Sequence, residues 1–185
     1  MRVISGKAKG IRLASLEGNL TRPTLDRVKE ALFNIIQTDI VNTTVLDLFA
    51  GSGALGIEAL SRGAKKVILC DKSPKAINTI KINLEKTKLD KNAEIILKDY
   101  EKALNILKGK EKFDLIFIDP PYADNMVKKS ILNIMEFDLL NNNGKIIIET
   151  DDEERILKDL EQIQVNVYDL RKYGRVKIIF LNRKG

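Results

Sequence analysis

Histidine is absent from these 185 residues, and cysteine occurs once, as Cys70. Without histidine, the common zinc sites and the Ser-His-Asp triad lose their usual ligand and base, and a single thiol closes no internal disulfide. Metal-assisted and triad hydrolysis drop out, and no metal site is expected. Long apolar runs are missing too. No stretch approaches the roughly 18 residues of a membrane span, and the opening MRVISGKAKG has no apolar leader core. A cytoplasmic protein without a membrane partner is the expectation. Repeats, low-complexity tracts and linkers are also lacking, so one domain with a small appendage is expected, with a monomer as the default.

What is present has globular composition, with 44% hydrophobic and 31% charged residues. The net charge is +6 and the pI about 9.3, a balance that favours a polyanionic partner. Its distribution is more telling. Residues 1 to 30 hold Arg2, Lys7, Lys9, Arg12, Arg22, Arg27 and Lys29 against Glu17, Asp26 and Glu30. Seven cations less three anions puts +4 of the +6 at the front.

From residue 44 the chain alternates short β-branched runs with amphipathic stretches, as a parallel sheet with helices on both faces requires. Strands are expected at 44–49, 66–71, 93–97, 114–118 and 145–149. Helices are expected at 54–62, 74–86, 100–108, 125–136 and 152–161. Runs such as Leu115-Ile116-Phe117-Ile118 lack polar alternation, as strands buried on both faces do. Cys70 lies in one of them and reads as core. Two further strand-like runs, 164–170 and 175–181, flank Arg171-Lys172-Tyr173-Gly174, which suits a hairpin and makes the seventh and last strand antiparallel. At the front, residues 1–20 suggest an irregular hairpin or arm. Residues 25–38 place Leu25, Val28, Leu32, Ile35 and Ile36 on one helical face, with Phe33 and Ile36 core-facing. The resulting division is a basic arm at 1–24 and a main domain at 25–185.

The strongest constellation is VLDLFAGSGALGIEAL, from Val45 to Leu60. A buried strand ends in Asp47 and passes through Gly51, Ser52 and Gly53 into a helix, where open α/β sheets bind nucleotides. Gly51, Gly53 and Gly56 make G-x-G-x-x-G, a weak motif alone. Asp71 strengthens it, because it ends the second strand 20 residues after Gly51, where a carboxylate accepts ribose hydroxyls. Asp47 decides the ligand class. A carboxylate repels pyrophosphate and suits a cationic end, so S-adenosylmethionine is favoured over NAD. Phe49, just before the glycines, and Ser52, between two of them, join the candidate cofactor contacts. Asp99, after the third strand, is placed to hold an adenine amino group or to cap the next helix.

The fourth strand empties into Asp119-Pro120-Pro121-Tyr122. The prolines remove two backbone donors and fix φ, leaving the Asp119 and Pro120 carbonyls as rigid acceptors suited to an amino group. An exocyclic base amine is a poor nucleophile because its lone pair is delocalised. Acceptors that hold its hydrogens out of plane localise that pair, Asp119 stabilises the charge developing on nitrogen, and Tyr122 stacks on the flipped base. Asp119, Pro120, Pro121 and Tyr122 are therefore the candidate catalytic residues.

With both motifs placed, the chain resembles the D-type 16S rRNA guanine-N2 methyltransferases of the bacterial small ribosomal subunit. The similarity runs nearly end to end, through Arg2 to Gly6, Gly10 to Leu13, Thr21 to Thr24, Asp26 to Val28, Leu32 to Asn34, Asp47 to Gly56 and Asp119 to Tyr122. The front block discriminates, since Asp-Pro-Pro-Tyr also occurs in DNA adenine and protein glutamine methyltransferases. The resemblance implies a Rossmann-like class I fold, S-adenosylmethionine at Gly51, Gly53 and Asp71, and a target guanine of 16S rRNA in a partly assembled small subunit. The family usually carries glutamate at the ribose position, and Asp71 is one methylene shorter. Arg2, Lys7, Lys9, Arg12, Arg22, Thr24 and Arg27 are the candidate RNA contacts. A DNA adenine enzyme, a protein glutamine enzyme and a non-catalytic RNA-binding protein stand as the alternatives.

Overall fold

The computed structural model describes residues 1–16, 23–121 and 125–184, with the backbone alone at 23–25. The expectations for Arg22 and Tyr122, and for the side chains of Thr24 and Leu25, fall outside what is described.

Seven strands form one sheet: β1 Thr44–Asp47, β2 Lys66–Asp71, β3 Ala93–Leu97, β4 Phe113–Ile118, β5 Leu140–Thr150, β6 Val165–Tyr173 and β7 Val176–Arg183. Their order is β3-β2-β1-β4-β5-β7-β6, parallel from β3 to β5, with β7 antiparallel to both β5 and β6. The expected all-apolar strands fill the middle, and the hairpin supplies the antiparallel edge. The hairpin turn is shorter than the expected 171–174, because β6 runs three residues further and β7 starts one residue later. β6 continues through Tyr173, and Gly174 (φ 63°) with Arg175 makes a two-residue turn of the kind that matches strand twist. β5 also begins earlier than its β-branched run, because Leu140 pairs with Phe113 of β4 across an irregular stretch.

Among the described residues, six α-helices cover the sheet: α1 Pro23–Ile35, α2 Ala54–Ser61, α3 Pro74–Thr87, α4 Tyr100–Leu107, α5 Met126–Glu136 and α6 Glu153–Leu160. Side-chain alternation along the strands separates two cores. Val45, Leu69, Phe117, Ile147 and Phe180 pack with α1, α2 and α3. Leu46, Ile68, Ile116, Ile148 and Ile179 pack with α4, α5 and α6. Phe33, Ile36 and Cys70 are buried, as their patterns indicated.

The front of the chain is docked on the body. Arg2 and Arg12 form an antiparallel bridge around a turn in which Gly6 and Gly10 have positive φ. Val3, Ala8 and Leu13 are buried in the core shared with α2. A Cβ on Gly6 would stand 1.9 Å from the carbonyl oxygen of Ser61, so only glycine lets this turn sit on the end of α2. The segment is held chiefly by Glu58, a fully buried carboxylate on α2. It accepts the Ile4 and Ser5 amides at 2.8 and 3.0 Å and pairs with Lys29 at 3.0 Å and Arg62 at 2.8 Å. Lys29, counted above with the basic front, is only 3% exposed and is spent on its ion pair with Glu58, so it is not offered to an outside partner.

Candidate active site

The chain reverses direction across the sheet between β1 and β4, since β2 and β3 lie on one side of β1 and β4 on the other. A crevice opens at such a switch point beyond the carboxyl ends of the strands. Asp47 ends β1 and pairs in register with Phe117, two residues before Asp119. The two sequence motifs therefore meet at this crevice.

On the β1 side the loop turns through Gly51 (φ 54°) and Gly53 (φ 78°), conformations that side-chain-bearing residues resist. A Cβ on Gly56 would lie 2.8 Å from Leu69, so the third glycine lets α2 pack against β2. Asp71 ties the loop to β2. One carboxylate oxygen accepts the Gly51 amide at 2.9 Å and the other accepts the Ser73 amide at 2.8 Å. Each oxygen keeps a second lone pair, so hydroxyl groups of a ligand can still be accepted. Asp47 is 2% exposed, accepts the Gly56 amide at 3.0 Å, and has its pKa pushed up to about 7 by burial, partly offset by that bond. Two carboxylates under one glycine turn fit a ligand with a cationic amino-acid end and a ribose. They do not fit a pyrophosphate.

Phe49, two residues before Gly51, is half-buried and its ring meets that of Tyr100 with centroids 5.4 Å apart. Ser52 gives its carbonyl to Asn83. Asp99 occupies the capping position of α4, accepting the Lys102 amide at 3.0 Å and pairing with the Lys102 ammonium at 3.1 Å. Those bonds hold its carboxyl below the usual range. Of the two readings open for Asp99, the cap is the one the geometry displays.

On the β4 side lies a cleft of about 390 Å³, lined by Asp119, Pro120, Pro121, Val127, Glu149, Thr150, Asp151, Arg175 and Val176. That is within the roughly 300–1,000 Å³ of small-ligand sites. Asp119 is open to solvent at the cleft but ringed by protein. Desolvation first, then the nearby Glu149 and Asp47 carboxylates, raise its pKa well above the carboxylate range, and access to water moderates the effect. Glu149, half-buried at the end of β5, is raised by desolvation too.

The sequence reading missed Glu149 and Arg175. For Glu149 the signal existed: like Asp47, Asp71 and Asp119, it closes an all-apolar run, Ile146-Ile147-Ile148. Arg175 gave none, because only the sheet order brings the β6–β7 turn beside β5. Asn83 was also missed. It is buried on α3, donates to Ser52 O at 2.9 Å and Ala14 O at 3.0 Å, and accepts the Ala14 amide at 2.7 Å. Among the candidate RNA contacts, Arg2, Lys7, Lys9, Arg12 and Arg27 are exposed.

A mixed seven-stranded sheet with its antiparallel final strand, and a glycine turn set between Asp47 and Asp71, define a Rossmann-like class I S-adenosylmethionine-dependent methyltransferase. The family model described as "Conserved hypothetical protein 95" matches residues 1–182. The Bacillus subtilis protein YlbH is 43% identical over 186 residues, covering 100% of both chains. The "Ribosomal RNA small subunit methyltransferase D" of Haemophilus influenzae is 37% identical over 158 residues, 85% of this chain and 82% of that one. The solved structure of Escherichia coli yhhF superposes with a TM-score of 0.83 at 27% identity, covering 100% of this chain and 98% of that one. The chain belongs to this family of D-type small-subunit rRNA methyltransferases.

Proposed function

We propose that the protein transfers the methyl group of S-adenosylmethionine to the exocyclic N2 amine of one guanine in 16S rRNA, within the small ribosomal subunit or its assembly intermediate. The observation that carries this reading is the meeting of Asp47 and Asp119 at one switch point, with a base-sized cleft above Asp119 and Pro120. The name of the Haemophilus relative supports the choice of RNA. In this reading residues 1–24 are an RNA-contacting arm and 25–185 the catalytic body of a cytoplasmic, metal-independent monomer.

The cofactor supplies an already activated methyl group on sulfonium; the chain supplies placement and charge. Gly51, Ser52, Gly53 and Asp71 hold its amino-acid and ribose parts. Asp47 braces the loop and gives the pocket a negative sign, Phe49 borders it, and Asp99 stands at its adenine side. Pro120 and Pro121 lock the carbonyls that accept the hydrogens of the amine, and Tyr122 stacks on the base. Asp119 stabilises the positive charge that develops on nitrogen and, with its raised pKa, is a fit acceptor for the proton the product must lose. Arg2, Lys7, Lys9, Arg12, Arg22, Thr24 and Arg27 meet the RNA backbone.

The test is transfer of labelled methyl to small subunits lacking base methylation, followed by nucleoside analysis. N2-methylguanosine in 16S RNA is expected; N6-methyladenosine or no label would overturn the reading. Asp119→Ala should abolish transfer while leaving cofactor affinity intact. Survival within about tenfold, or roughly 1.4 kcal/mol of barrier, would remove Asp119 from its role.

A further inference from the structure

Three ionic side chains line the β4-side cleft in a fixed lateral order. Asp119 follows β4, Glu149 ends β5, and Arg175 precedes β7, and these three strands are consecutive neighbours in the sheet. The pairing of Ile118 with Ile148 brings Asp119 and Glu149 level with one another, one residue further on. The pairing of Thr150 with Lys177 brings the start of β7, and Arg175 two residues before Lys177, to the same end of the sheet. Among the described residues, none of these three side chains has a hydrogen-bond or ion-pair partner. Elsewhere the ends of β5 and β7 do have partners: Thr150 accepts the Asp152 amide and Lys177 reaches Glu153 and Asp151.

The array therefore reads acceptor, acceptor, donor across the cleft. The Watson–Crick edge of guanine reads donor, donor, acceptor, as N2 amine, N1–H and O6. We propose that Glu149 and Arg175 are the residues that select guanine, Glu149 by accepting N1–H and Arg175 by donating to O6, while Asp119 holds the N2 amine. This inference rests on the guanine-N2 reading above and deepens it. Adenine places a lone pair at N1, and cytosine places one at N3, so either base would set an acceptor against the Glu149 carboxylate. In its ionised form Glu149 has two lone-pair oxygens and no hydrogen, so no rotamer relieves such a clash. Discrimination thus falls on the middle position of the array. The outer two fix which way round the base enters.

The experiment uses small subunits reconstituted with 16S RNA that carries either guanine or 2-aminopurine at the modified position. 2-Aminopurine keeps the N2 amine and lacks both the N1 hydrogen and O6. Wild-type protein should prefer guanine in kcat/KM by roughly 10–150-fold, the range expected for a lost hydrogen bond to a charged group. In Glu149→Gln the side-chain amide can donate to N1 of the analogue, and the preference should fall at least tenfold, with the KM for S-adenosylmethionine unchanged. Arg175→Ala should lower the rate on guanine and leave that on 2-aminopurine within about threefold, because the analogue has no O6 to lose. N2-methylguanosine formed with the same base preference in wild type and Glu149→Gln would overturn the array alone. A product other than N2-methylguanosine on guanine-bearing subunits would overturn the guanine-N2 reading beneath it.

Discussion

Asp47 is a carboxyl group held where water barely reaches it, and burial has pushed its pKa up to about 7. Relative to an unfolded aspartate near 3.8, the folded chain binds this proton more tightly. Its contribution to stability is therefore most favourable below that lower value and declines as pH rises through about 7. A cationic ligand reverses the preference, because it favours the ionised carboxylate. Affinity for S-adenosylmethionine should thus rise with pH through about 7 in the wild-type protein, measured against Asp47→Asn to remove the titration of the ligand itself. Parallel profiles for the two proteins in calorimetric titrations would contradict a cationic end beside Asp47.

At the scale of elements, α3 connects two parts of the molecule that are far apart in sequence. Asn83 bonds both the cofactor turn at Ser52 and the docked front segment at Ala14. Replacing it with alanine leaves three partly buried backbone groups without this partner, and water can satisfy them only in part. Asn83→Ala should lower the melting temperature and raise the KM for S-adenosylmethionine about tenfold. An unchanged KM in a less stable variant would make Asn83 a packing residue only. The strands that carry the site were legible because burial on both faces writes them as unbroken apolar runs, and both motifs sit where those runs stop. The irregular start of β5 at Leu140 was not, because Asn141, Asn142, Asn143 and Gly144 carry no strand signal and pairing with β4 imposes the conformation. Nor was Glu58. A glutamate inside LGIEAL looks like one more solvated helix charge until the front segment, Lys29 and Arg62 are folded over it.

For the whole molecule, the exposed cations of the front segment lie on the body that carries the crevice, and with Lys29 buried the surface excess rests on fewer groups than the sequence count. If Lys7 and Lys9 each neutralise a phosphate, replacing both with alanine should reduce the slope of log affinity for small subunits against log salt by roughly 1.4–1.8. An unchanged slope would move the RNA path elsewhere. No described helix is long and apolar enough to cross a membrane. The buried carboxylate beneath the front segment also sets an order of events during synthesis. Residues 1–14 are made before their anchors on Glu58, Ser61 and Asn83, which lie 53 to 69 positions later. The front segment therefore cannot dock on α2 until Glu58 and Ser61 have been made, and its tie to the cofactor turn waits for Asn83, so the nascent chain joins its arm to its body first and to its cofactor site last.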